Sequence, residues 1–144
     1  MIKEPAFWDA SVLVPLCVHE ATSRKAHTYL GAFLPVVWWG TLVEVHSAIR
    51  RARRLGETSD QETRKALSRL EILSTGWREV LPDDDLRTMA GQLLDTHDLR
   101  AADSLQLAAA LVWCQSRAAR RSFLSGDRRL SVAAKDRGFS VIEL

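Results

Sequence analysis

Four carboxylates, Asp9, Glu44, Asp103 and Asp127, are the residues on which chemistry would rest in this chain. Asp9 stands between Phe7-Trp8 and Val12-Leu13-Val14. A carboxylate inside an apolar run is costly to bury unless it is paired or holds a cation. The structural alternative is a turn or cap aspartate whose side chain bonds backbone N–H groups. Glu44 flanks the apolar stripe Leu42, Val45, Ile49 and Ala52, where a solvated glutamate is the ordinary occupant. Asp103 opens a long apolar helical pattern, where an acid offsets the positive helix end. Asp127 follows Ser122-Phe123-Leu124 through Ser125-Gly126, the place of a natural helix cap.

Each acid therefore has a sufficient structural explanation when taken alone, and the joint pattern is more informative. Three of the four fall just past a strand or at a helix start, and Glu44 lies in the first turn after the second strand. In a parallel sheet these points share one edge. Carboxylates gathered there repel one another and hold their protons to higher pH. A divalent cation removes the conflict. Hard oxygen ligands suit Mg²⁺, with Mn²⁺ as a substitute, and leave positions for a phosphate and a water. The four histidines, His19, His27, His46 and His97, are scattered singly, so neither a zinc site nor a Ser–His or Cys–His nucleophile is readable. Cys17 and Cys114 sit among apolar neighbours as small buried hydrophobes.

The elements that must position these acids alternate between strand and helix. Ala6–Val14 opens as a strand, with Asp9-Ala10-Ser11 at its C-terminal end. Helical patterns cover 22–33, 41–55, 58–73, 83–96, 102–117 and 127–135. Strand patterns cover 35–39, 77–81, 122–124 and 139–142. The 102–117 helix is apolar on nearly every side, which marks it as buried. This alternation predicts an α/β domain with a mostly parallel sheet covered on both faces. Ligands in such folds bind beyond the carboxyl ends of the strands. No repeat or linker interrupts the 144 residues, which read as one domain.

Composition sets outer bounds. At 47% hydrophobic and 26% charged residues the chain is an ordinary globular one. Its net charge of +2 does not announce a nucleic-acid binder. No segment reads as a signal peptide or membrane span, so a cytoplasmic location is expected. The arginines at 50, 51, 53, 54, 117, 120, 121, 128 and 129 read mainly as helix-end and surface charges, with Arg128 the nearest to a phosphate contact. The five tryptophans, Trp8, Trp38, Trp39, Trp77 and Trp113, read as core rather than as base-stacking platforms.

Asp9-Ala10-Ser11, Glu44 at an apolar helix start, Ala102-Asp103-Ser104-Leu105-Gln106-Leu107-Ala108 and Leu124-Ser125-Gly126-Asp127-Arg128-Arg129-Leu130 together resemble the PIN domain. Within it they are most similar to the VapC-type toxin ribonucleases of prokaryotic toxin–antitoxin pairs. The resemblance runs in order along essentially the whole chain. It implies a three-layer α/β/α sandwich and Mg²⁺-dependent endonucleolytic cleavage of RNA by the quartet Asp9, Glu44, Asp103 and Asp127, with Asp9 and Asp103 expected to ligate the ion directly and Asp127 and Glu44 through water or on a second ion. It makes Ser11 and Ser125 the hydroxyl residues accompanying the first and last acids. It also implies a cognate, VapB-like antitoxin and a homodimer. Gln106 departs from the pattern, since many relatives carry histidine there, and it receives no catalytic role. Two other readings stand beside this one. The first is a phosphoryl-transfer α/β enzyme, either of the dehalogenase kind, whose second acid is replaced here by Ser11, or of the receiver kind, whose paired acids near the first strand and late-strand lysine are absent. The second is a non-catalytic PIN-like interaction module.

Overall fold

Side-chain alternation along the strands divides the molecule into three layers. The computed structural model describes residues 2–144. In chain order the elements are β1 (Glu4–Trp8), α1 (Ala10–Cys17), α2 (Ser23–Ala32), β2 (Phe33–Trp38), α3 (Thr41–Arg54) and α4 (Asp60–Gly76). They continue with β3 (Arg78–Val80), α5 (Asp84–Thr96), α6 (Ala101–Trp113), β4 (Ser122–Ser125), α7 (Arg128–Asp136) and β5 (Ser140–Glu143). Ala6 and Trp8 of β1, Val37 of β2 and Leu124 of β4 point into a core shared with α1 to α4. Phe7, Val36, Trp38 and Phe123, their immediate neighbours, point into a second core shared with α5, α6 and α7. Both faces of these strands are therefore buried, which is why they read as unbroken apolar runs.

All five strands are parallel, in the order β3-β2-β1-β4-β5. The chain moves outward from β1 through β2 to β3, then returns to lay β4 against the other side of β1. The connections of the first half carry α1 to α4 on one face, and those of the second half carry α5 to α7 on the other, as a constant crossover hand requires. The strand order reverses between β1 and β4, so a crevice forms beyond their carboxyl ends. Phe7 pairs with Phe123 and Trp8 with Leu124, and the Asp9 N–H donates to the Leu124 carbonyl at 3.1 Å.

The helices begin where caps can satisfy their free N–H groups. Ser59 and Glu62 form a reciprocal capping box on α4, and the Asp83 carboxylate accepts the Leu86 N–H at 2.7 Å on α5. Two sequence expectations are corrected. The segment after Asp9 is not the end of a strand but the helix α1. β-branched Val12 and Val14, together with Pro15, disguise it, yet Val12, Leu13, Pro15, Leu16 and Cys17 are all buried. Burial of that face outweighs the unfavourable helix propensities. Trp39 is not core: β2 stops at Trp38, and Trp39 is 53% exposed. Trp113 is half-buried, with the Arg121 guanidinium 5.3 Å from its ring centre.

Gly40, between β2 and α3, lies against the Trp38 indole. A Cβ there would stand 2.6 Å from the indole Nε1. The buried ring cannot swing aside, so Gly40→Ala is expected to cost about 1–3 kcal/mol by overpacking. Urea denaturation checks this, and an unchanged midpoint refutes it.

Candidate active site

The site grows from the ends of β1 and β4. Asp9, the residue after β1, is 3% exposed and caps α1. Its Oδ1 accepts the Ser11 N–H at 2.9 Å and the Ser11 hydroxyl, and its Oδ2 accepts the Ser125 hydroxyl at 2.6 Å. Ser11 Oγ in turn accepts the Gly126 N–H at 2.8 Å, and Ser125 Oγ accepts the Asp127 N–H at 3.0 Å. The two serines thus lock the end of β1 to the turn after β4 and fix the Asp9 carboxylate in one orientation. Asp127 caps α7, its Oδ1 accepting the Leu130 N–H at 2.9 Å. Asp103 lies in the first turn of α6, where its Oδ2 accepts the Arg100 N–H at 3.4 Å. Glu44 lies in the first turn of α3.

These four acids influence one another electrostatically. Burial pushes the Asp9 carboxyl up to about 6, against the pull of its serine hydrogen bonds, and the Asp127 charge adds to the rise. Glu44 is raised first by burial and further by Asp9 and Asp103, while a hydrogen bond from Gln106 opposes the shift. Asp103 is raised by burial and by Asp127. The three elevations are the expected signature of negative groups converging in a partly desolvated crevice. As they stand, no three Asp, Glu, His or Cys among the described residues form a group that could hold a metal ion. Mg²⁺ asks for only one or two carboxylates and keeps several waters, so this all-oxygen donor set fits such an ion.

Gln106 belongs to the site, although sequence reasoning left it without a role. It is buried, and its Nε2 donates to Thr41 Oγ1 at 3.0 Å and to Glu44 Oε1 at 3.1 Å. It sits three residues after Asp103, on the same face of α6. That spacing was the available signal. The thiols take no part: burial pushes Cys17 up to about 11 and raises Cys114, so both stay protonated.

The backbone is similar along nearly its full length to three solved structures. One is a toxin–antitoxin complex from Klebsiella pneumoniae (TM-score 0.61, 18% identity, covering 96% of this chain and 99% of that one). Another is FitAcB from Neisseria gonorrhoeae (TM-score 0.66, 14% identity, 96% of each chain). The third is PAE2754 from Pyrobaculum aerophilum (TM-score 0.66, 18% identity, 96% of this chain and 89% of that one). The chain has a PIN-like fold. No family model matches the sequence, and no curated protein matches it. At such low identity the likeness is one of fold. Within the PIN-like sandwich all four predicted acids lie at the carboxyl edge of the sheet or in the first turn of a helix that starts there. Among the described residues no helix is long and apolar enough to cross a membrane.

Proposed function

We propose that this PIN-like protein is a Mg²⁺-dependent endoribonuclease acting as a VapC-type toxin. The observation that carries the reading is the gathering of Asp9, Glu44, Asp103 and Asp127 within electrostatic reach of one another at the crevice where the strand order reverses, with burial the main cause of the raised Asp9, Glu44 and Asp103 carboxyls. In this reading Asp9 and Asp103 ligate the cation directly, and Asp127 and Glu44 hold it through water or bind a second ion. When bound, the ion supplies Lewis acidity, neutralising charge on a phosphate oxygen and acidifying water. Glu44 is the group suited to take a proton from the attacking water, since burial raises its affinity for protons and Gln106 fixes one of its oxygens. Ser11 and Ser125 keep Asp9 aligned. Attack in line with the leaving oxygen yields a 3′-hydroxyl and a 5′-phosphate.

The reading extends to a cognate antitoxin, a homodimer and a cytoplasmic location. The Klebsiella neighbour is itself described as a toxin–antitoxin complex. Exposed Trp39, Leu42, Val43 and Leu81 offer apolar surface for association, and the two free, buried cysteines suit a reducing compartment.

The decisive assay incubates the purified chain with single-stranded RNA in Mg²⁺, Mn²⁺ or EDTA and maps the new ends. Internal cuts bearing 5′-phosphates, seen only with metal, are expected. Metal-independent cutting, or none with either ion, overturns the proposal. Cation binding has its own pH signature. Protons compete with the cation for Asp9, held near 6 by burial, and for Glu44 and Asp103, both raised above their ordinary values chiefly by burial. At pH 7.5, Mn²⁺ at a hundred times its Kd is expected to stabilise by about 2.7 kcal/mol, or roughly 5–10 °C in Tm. At pH 4.5 the shift is expected to collapse, because Asp9, held near 6, is protonated there. An equal shift at both pH values excludes Asp9 as a ligand.

A further inference from the structure

A groove of about 480 Å³ borders the acids, lined by Arg100, Ala102, Asp103, Asp127, Arg128 and Arg129. Three arginines and two carboxylates line it, so positive charge stands directly beside the acids. The fold does not account for these arginines. Arg100 directly precedes α6, and Arg128 and Arg129 open α7, the helix ends at which a cation is disfavoured. Among the described residues, Arg100 and Arg128 enter no ion pair. Arg129 reaches Asp98 at 3.7 Å, but their side chains are 60% and 88% exposed, so that pair holds it weakly. Arg100 and Arg129 lie within electrostatic reach of Asp103. Guanidinium groups bind phosphate oxygens through two parallel N–H bonds, which a lysine cannot do.

We propose that Arg100, Arg128 and Arg129 form a phosphate clamp that holds the backbone of single-stranded RNA and leads its neighbouring linkage to Asp103 and Asp127. The proposal rests on the nuclease reading above for the identity of the polyanion. A groove continuous with the acids can only be occupied by the substrate of those acids or by something that blocks them. An acidic polypeptide is the competing occupant, and the experiment separates the two.

The test measures binding of a fluorescent single-stranded RNA in EDTA, and again in Ca²⁺, over a range of NaCl concentrations. Wild type is compared with R100A/R128A/R129A and with R24A/K25A/R64A, which removes the same charge from exposed positions on α2 and α4. Losing three phosphate contacts should flatten the slope of log K against log salt by about 2, since each single-strand contact contributes about 0.7. Affinity at 50 mM salt should fall at least tenfold. The control triple should keep the wild-type slope. Circular dichroism confirms that both variants are folded. Equal losses in both triples overturn the clamp, as do an unchanged slope in the groove variant and absence of salt-dependent binding by wild type in either buffer. Displacement of the RNA by polyglutamate at equal concentration assigns the groove to an acidic protein and also overturns it. Because binding is read without hydrolysis, failure of the nuclease reading shows differently: RNA is held in the groove but never cut when Mg²⁺ is supplied.

Discussion

Asp9→Asn is expected to abolish RNA cleavage and, at the same time, to make the metal-free protein more stable at neutral pH. The activity loss follows from removing one charged oxygen ligand from the reacting centre. Such a ligand supplies several kcal/mol, and about 4 kcal/mol corresponds to a thousandfold in rate. The stability gain follows from burial. In the folded chain Asp9 holds its proton up to about pH 6, against an ordinary value of 3.8. Between those two values the unfolded chain binds fewer protons than the folded one, so stability falls as pH rises from about 4 to about 6 and then stays low. The gap corresponds to about 3 kcal/mol, an upper bound for what a neutral isostere recovers. Asparagine keeps the Oδ1 contacts with Ser11 and can donate to Ser125 Oγ, so the lock between β1 and β4 survives. In EDTA at pH 7.5 the variant's Tm is expected to rise by roughly 5–10 °C, and near pH 4 the two proteins should coincide. A cap with a purely structural role predicts parallel losses of stability and activity. A lower Tm at pH 7.5, or more than a tenth of wild-type cleavage, would falsify the assignment.

Phe123→Ala is expected to cost about 3–5 kcal/mol, a large share of the total stability of a domain this size. Phe123 is fully buried in the centre of β4, stacked on Phe7 at 5.2 Å and tilted against Phe139 at 5.4 Å. Its loss opens a cavity between the sheet and the layer containing α6 and α7, which the surrounding strands cannot close. The same strand carries Ser125, so the damage should spread to the orientation of Asp9. Chemical denaturation gives the magnitude, and a loss under 1 kcal/mol would show that this layer is not the tightly packed core described. Phe123→Leu keeps most of the volume and should cost less than half as much.

The alternation of strands and helices, the all-round apolar character of α6 and the positions of the four acids were legible in the residue pattern. These features are local: a period of two or of 3.6 residues is written in neighbouring side chains. Parallel strands then place every strand end on one edge, so Asp9, Asp127 and the Glu44 turn share it, whereas Asp103 opens α6, which follows α5, and joins them through the packing of that helix. Three things needed the tertiary structure. Whether 10–17 would be helix or strand depended on the layer above β1, because burial of Val12, Leu13 and Leu16 overrides what Val12, Val14 and Pro15 favour locally. Trp39 stands in an aromatic run indistinguishable from core, but the sheet ends one residue before it and leaves the ring in solvent. Gln106 became part of the site through a contact with Glu44 across 62 residues of chain, and the Arg100–Arg129 groove through the docking of α7 beside α6. A glutamine or an arginine looks the same in sequence whether it faces water or a carboxylate. Only packing, which sets what each side chain meets, decides which of them take part in chemistry.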